Sequence, residues 1–226
     1  DAGVDATIVV FGSARIVDRR RANRELAAAR ERLEQRDDED TREQVRCWER
    51  RLASAHYYDL AREFGELAAR AAGLVVMTGG GPGQMEAANR GAAAAGGPTV
   101  GLNITLPHEQ APNAYLTPGL SFEFRYFALR KFHFVQRARA LVALPGGFGT
   151  LDELFDVLTL VQTGKQRPLP IVLVGRAFWD RLLDLDFLVE EGLISASERA
   201  LVSYAETAAE IWDGIQDWYA ARGLAP

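Results

Sequence analysis

Short, mostly apolar runs alternate along this chain with longer stretches in which apolar residues recur every three or four positions. Ala6–Phe11, Leu74–Met77, Thr99–Leu102, Ala140–Leu144 and Ile171–Val174 have the length and composition of strands buried on both faces. Leu151, Leu154, Phe155, Leu158 and Val161 recur at helical spacing, and two further amphipathic helices are predicted over Tyr57–Ala71 and Glu206–Ala221. The aromatic-rich stretch Phe122–Phe134 also reads as helical. Strands alternating with helices predict an α/β protein, a doubly wound parallel sheet with helices on both faces.

Residues 18–52 break this alternation. The block is dense in charge, free of glycine and proline, and anchored by few apolar residues, among them Leu26, Leu33, Val45, Trp48 and Leu52. It predicts one or two exposed helices with the acidic run Asp37–Asp40 near a bend. A solvated insertion is the plain reading, and an oligomer contact or lid the sharper one. At 226 residues the chain fits a single domain, 1–226, carrying this insertion.

Three predicted strands end in small-residue turns: Gly12-Ser13 after the first, Thr78 to Gly83 after the second, and Pro145 to Gly149 after Ala140–Leu144. In a doubly wound sheet these turns share the carboxyl edge, where ligands collect. Glycine removes the Cβ that would hold an anion away from the backbone, and the first amides of a following helix lack acceptors, so the turn Pro145–Gly149 suits a phosphate. The glycines match neither the spaced dinucleotide fingerprint nor a P-loop, since no lysine follows Gly83.

Arg130 and Lys131 interrupt the apolar face of the aromatic stretch. They read either as a surface pair beside a core stripe or as a donor fork for a phosphate or sugar hydroxyls. Asp152 and Glu153 are expected in the first helical turn, where carboxylates offset the helix dipole. The alternative is that one of them orients water or stabilises positive charge at a sugar anomeric carbon.

The net charge of −5 argues against broad nucleic-acid binding, and a single cysteine, Cys47, leaves no disulfide framework or multi-cysteine zinc site. His56, His108 and His133 lack metal-ligand spacing, so no metal is expected. With no apolar run of membrane length and no leader, the chain reads as a cytoplasmic protein without a membrane partner.

The runs Gly79-Gly80-Gly81-Pro82-Gly83-Gln84-Met85-Glu86-Ala87, Arg130-Lys131 and Pro145-Gly146-Gly147-Phe148-Gly149-Thr150-Leu151-Asp152-Glu153, in this order, resemble the LONELY GUY family, long labelled "possible lysine decarboxylase". The resemblance includes Phe11-Gly12-Ser13-Ala14-Arg15 and covers nearly the whole chain outside residues 18–52. It implies a Rossmann-like fold and a phosphoribohydrolase that cuts the N-glycosidic bond of nucleoside 5'-monophosphates, either AMP or cytokinin ribotides, giving free base and ribose 5-phosphate.

Carried over position by position, the resemblance makes Arg130 and Glu153 the catalytic residues. It places Glu109, Lys131, Gly146, Gly147, Phe148, Gly149, Thr150, Leu151, Asp152 and Thr159 at the substrate, joined by Ser13, Gly80, Gly81, Gly83, Met85 and Glu86. It implies a homodimer or higher homo-oligomer with sites near the subunit contact. The alternative is a nucleotide-binding or carrier protein of the same fold that turns nothing over. The decarboxylase label fits poorly, because a pyridoxal Schiff base needs a lysine. Only Lys131 and Lys165 are present, one belonging to the Arg-Lys pair and the other at a helix end, so no cofactor is expected.

Overall fold

The computed structural model describes residues 3–71, 73–105 and 111–226. In chain order the elements are β1 (Thr7–Phe11), α1 (Arg19–Gln35), α2 (Glu39–Ala53), α3 (His56–Ala69), β2 (Val75–Thr78), α4 (Gln84–Ala94), β3 (Thr99–Ile104) and β4 (Ser121–Phe124). There follow α5 (Phe127–Gln136), β5 (Ala138–Ala143), α6 (Phe148–Gln162), β6 (Ile171–Val174), α7 (Arg176–Leu182), α8 (Leu185–Glu190), α9 (Ala196–Arg199), β7 (Val202–Ala205) and α10 (Ala208–Ala220).

The seven strands form one sheet in the order β4-β3-β2-β1-β5-β6-β7, every pairing parallel. The chain therefore steps outward from β1 to β4, then crosses back to lay β5 on the other side of β1. Ile8 pairs with Val76 on one side and Ala140 on the other. The point where the winding reverses lies between the carboxyl ends of β1 and β5, the place where such sheets open a crevice.

Alternate residues of each central strand enter opposite cores. Ile8, Val10, Val142 and Val172 pack with Phe64 of α3, Ala88 of α4 and Ile211 of α10. Val9, Phe11, Leu141 and Leu173 pack on the other face with Phe134 of α5, Leu154 and Val157 of α6, and Trp179 of α7. Both faces of the sheet are thus covered, which is why the strands read as continuous apolar runs.

Residues 18–52 form two helices that pack chiefly on each other. Asp37 and Asp38 make the bend, and Asp38 caps α2 by accepting from the Thr41 amide at 3.0 Å. The exposed ion pair of Arg30 with Glu49 at 3.0 Å joins α1 to α2, and that of Arg50 with Glu43 at 2.7 Å runs along α2.

Two expectations need correction. Phe122–Phe124 belongs to an edge strand, β4, in register with Leu102–Ile104, and the helix begins only at Phe127. The alternation Phe122-Glu123-Phe124 is a period-two pattern, hidden in a run of aromatics that also suits a helix. Asp152 and Glu153 do not stand in the first helical turn, because α6 already starts at Phe148, where the Thr150 and Leu151 amides both donate to the Gly147 carbonyl at 3.0 Å. The dipole explanation for these two carboxylates therefore falls away.

Candidate active site

Helix α6 carries Thr150, Glu153, Val157 and Val161 at spacings of three and four, and all four are buried on the face it presents to the sheet. Glu153 is consequently a carboxylate in a core position, only 4% exposed. Helix α5 is anchored on β1 by Phe134, whose ring meets Phe11 edge-on at 4.8 Å between centroids. Arg130, one turn earlier on the same face, is carried to the same place.

Arg130 is fixed on three sides. Its Nε donates to the Leu102 carbonyl at 2.8 Å, and its guanidinium carbon lies 5.0 Å from the centre of the Phe134 ring. On the third side, Gly79 lets the head approach the loop after β2, since a Cβ there would sit 2.6 Å from Nη2. The remaining nitrogen, Nη1, stands 3.9 Å from Oε1 of Glu153, too long for a hydrogen bond but close enough for charge to be felt.

Burial pushes the Glu153 carboxyl up to about 7, against the opposing pull of Arg130 and Lys131. Burial also lowers Arg130 somewhat, while Glu153 and Asp152 oppose that shift. A carboxyl that titrates near neutrality beside a fixed cation is the pattern of a poised acid-base group.

Both side chains face a cleft of about 680 Å³ at the reversal point of the sheet, of a size to hold a nucleotide. Ser13, Met85, Gly146, Gly147, Phe148, Gly149, Thr150 and Leu151 line it too, so ten of the residues singled out in the sequence converge there. Gly147 and Gly149 have no packing reason to be glycine: neither has a positive φ, and a Cβ at either would meet no atom within 4 Å. Gly146 differs, for a Cβ there would collide with Thr150. Among the described residues the Phe148 and Gly149 amides have no acceptor, whereas the Thr150 amide is already engaged by Gly147.

A family model described as "Possible lysine decarboxylase" matches residues 85–215, more than half of the chain. The chain belongs to that family, the LONELY GUY family of the sequence motifs. This LONELY GUY chain is 38% identical over 90 residues to a rice protein (Oryza sativa subsp. japonica) described as a probable cytokinin riboside 5'-monophosphate phosphoribohydrolase, covering 39% of this chain and 43% of that one. An Arabidopsis thaliana cytokinin riboside 5'-monophosphate phosphoribohydrolase is 36% identical over 90 residues, covering 39% and 42%. The match thus spans less than half the length of these curated relatives.

Over almost its full length the LONELY GUY chain has the fold of a solved Moco carrier protein from Chlamydomonas reinhardtii, with 20% identity, a TM-score of 0.55 and coverage of 96% and 99%. At that identity the likeness is one of fold.

Other residues singled out in the LONELY GUY sequence lie outside the cleft. Lys131 pairs with Asp152 at 2.7 Å and, with Thr159, lines a neighbouring open depression of about 420 Å³ that shares Phe148 and Leu151 with the cleft. Although burial opposes it, the hydrogen bond that Lys131 donates to Asp152 and the charges of Asp156, Asp152 and Glu153 hold the Lys131 ammonium above its ordinary range. The Thr159 hydroxyl donates to its own helix at Phe155 O, 2.7 Å away. Glu86 turns to α3, accepting from the Tyr58 hydroxyl at 3.2 Å. Gly80 and Gly81 are latched through their carbonyls by the Asn113 side chain at 3.1 Å, and Gly83 backs onto the Ser13 carbonyl. Glu109 lies outside the described residues.

The sequence reading passed over Gln84. It is fully buried, accepts from the Ser13 amide at 2.5 Å and so ties the turn after β1 to the start of α4. It also explains Gly12, where a Cβ would strike its side chain. The signal was present as a polar residue directly after a glycine-proline-glycine turn. Asn89 and Asn113, which hold the second glycine turn through a 3.0 Å bond to each other, offered no local pattern to find them by.

Proposed function

We propose that this chain hydrolyses the N-glycosidic bond of nucleoside 5'-monophosphates with an adenine-type base, AMP or a cytokinin ribotide, releasing free base and ribose 5-phosphate. The observation that carries this reading is the pairing of a buried, near-neutral Glu153 with a fixed Arg130 in a nucleotide-sized cleft beside two glycines that packing does not require. The activity for which the rice and Arabidopsis relatives are named supports it.

In the proposed reaction the 5'-phosphate lies against the Phe148 and Gly149 amides at the start of α6. The bond from C1' to the base nitrogen breaks with its electron pair leaving on the base, and positive charge develops on the ribose. The Glu153 carboxylate stabilises that charge and takes a proton from the water that adds to C1', which then passes to the departing base. Arg130 orients the ribose phosphate and offsets its charge.

The surface supports a homo-oligomer as part of the same proposal. Helix α5 and the start of α6 leave the large apolar side chains Phe127, Leu129, Phe132 and Phe148 exposed by 51%, 58%, 57% and 92%. A second copy of the chain would cover them.

A second reading, a carrier of a nucleotide-like ligand without turnover, draws on the fold shared with the Moco carrier protein. Incubating the purified protein with AMP and with N6-isopentenyl AMP, and separating free base by chromatography, distinguishes the two. Base release supports the hydrolase, whereas saturable binding with no base supports the carrier.

A further inference from the structure

The amino-terminal edge of the sheet, opposite the glycine turns, holds a second cleft of about 710 Å³. It lies where the chain enters β1, β5 and β6 and where α10 ends. Arg137, Arg139, Lys165, Arg167 and Arg222 line it, opposed among the described residues by a single carboxylate side chain, Asp5. The chain as a whole carries a net charge of −5, so this concentration of cations runs against the balance of the molecule.

Among the described residues none of the five cations forms an ion pair, whereas Arg30, Arg42, Arg46 and Arg50 of the α1–α2 hairpin are tied to neighbouring carboxylates. The backbone beneath them is held from a distance. The Arg137 carbonyl accepts from the Thr7 amide at 2.9 Å, and the Arg139 carbonyl from the Tyr219 hydroxyl at 2.7 Å. The Arg222 guanidinium lies 3.7 Å from the centre of the Trp218 ring and donates to the Trp218 carbonyl at 2.9 Å. Like charges gathered at one concave wall repel one another, and a low-dielectric wall focuses their field on whatever enters.

We propose that this cleft is a second anion site, taking a small molecule that carries two or more linked phosphates. Five cations exceed what one phosphate neutralises, and the volume matches a ligand of nucleotide size. Guanidinium forks suit phosphate oxygens in pairs. A nucleic acid fits less well, because the cations are confined to one cleft of an otherwise acidic molecule instead of running along a face. The cleft shares no lining residue with the one that holds Arg130 and Glu153, so the proposal stands apart from the nucleosidase reading.

Calorimetric titration with inorganic pyrophosphate and with inorganic phosphate, each at low and moderate salt, tests it. Pyrophosphate is expected to bind saturably, at least tenfold more tightly than phosphate, and to weaken as salt rises. The double variant Arg139→Gln/Arg167→Gln is expected to weaken it at least tenfold with an unchanged melting temperature, since neither side chain is paired. Glu153→Gln should leave it unchanged, and excess AMP should not displace it. Absence of saturable binding, equal affinity in the double variant, or displacement by AMP overturns the proposal. If Arg139→Gln/Arg167→Gln proves unstable, Lys165→Gln/Arg222→Gln carries the same expectation.

Discussion

Arg130 and Glu153 reach each other from different helices, with Nη1 and Oε1 3.9 Å apart at the reversal point of the sheet. They are 12% and 6% exposed as side chains, and the separation leaves each head with capacity for a third group. Arg130 is held by Leu102 and Phe134, and Glu153 by the packing of α6, so neither depends on the other for its position. A nearly dry charge pair that stops short of a hydrogen bond costs stability and is ready for a ligand.

That cost is measurable. Because the folded-state pKa of Glu153 is raised from 4.5 to about 7, the folded chain holds a proton that the unfolded chain has released, and stability falls as pH rises through that window. Below about pH 4.5 the group is protonated in both states and contributes nothing. The isosteric neutral variant Glu153→Gln is therefore expected to gain on the wild type between pH 4.5 and 7, reaching roughly 1–3 kcal/mol above neutrality. Denaturant unfolding of both proteins at pH 5 and pH 8 checks this, and a difference that does not change with pH contradicts it.

The proposed role of the same carboxyl carries a pH dependence of turnover. If Glu153 acts as the carboxylate, kcat/KM for a nucleoside monophosphate rises with pH to a plateau, with a midpoint near the raised value of about 7. A profile flat from pH 5.5 to 8.5 would remove Glu153 from the role of base.

Gly147 separates ligand approach from packing. Alanine there meets no atom within 4 Å and has a permitted backbone conformation, so the melting temperature should hold or rise slightly. A Cβ facing the cleft should nonetheless raise KM at least tenfold. At Gly91 a Cβ would collide with the backbone of Arg62, and alanine there should lower stability by more than about 1 kcal/mol. A Gly147→Ala enzyme with unchanged KM would place the phosphate elsewhere.

The exposed aromatics of α5 bear on assembly. Phe127→Glu/Phe132→Glu places two charges where apolar surface now faces outward, at little expected cost to the fold. Sedimentation should show a smaller species than the wild type. An oligomer of unchanged mass would discard this face as the contact.

The sheet was legible because its central strands are buried on both faces and therefore read as unbroken apolar runs, as at Ala140–Leu144 and Ile171–Val174. Strand β4 was not, because its residues are largely exposed and its two phenylalanines merge into the aromatic start of α5. The glycine turn and Arg130-Lys131 stood out by composition, but the inward aim of Glu153 depends on α6 starting at Phe148, a boundary set by Gly147 that spacing alone misplaced. Gln84 was missed for a related reason: its partner, the Ser13 amide, is seventy-one positions away.

The most direct test of the central claim is the free base released from AMP and N6-isopentenyl AMP by the wild type and by Glu153→Gln under identical conditions. The wild type should convert at least one of the two to free base and ribose 5-phosphate in equal amounts. The variant should still bind that nucleotide while turning it over about 10²–10⁴-fold more slowly. Binding without base release by the wild type, or near-full activity in the variant, would contradict the assignment.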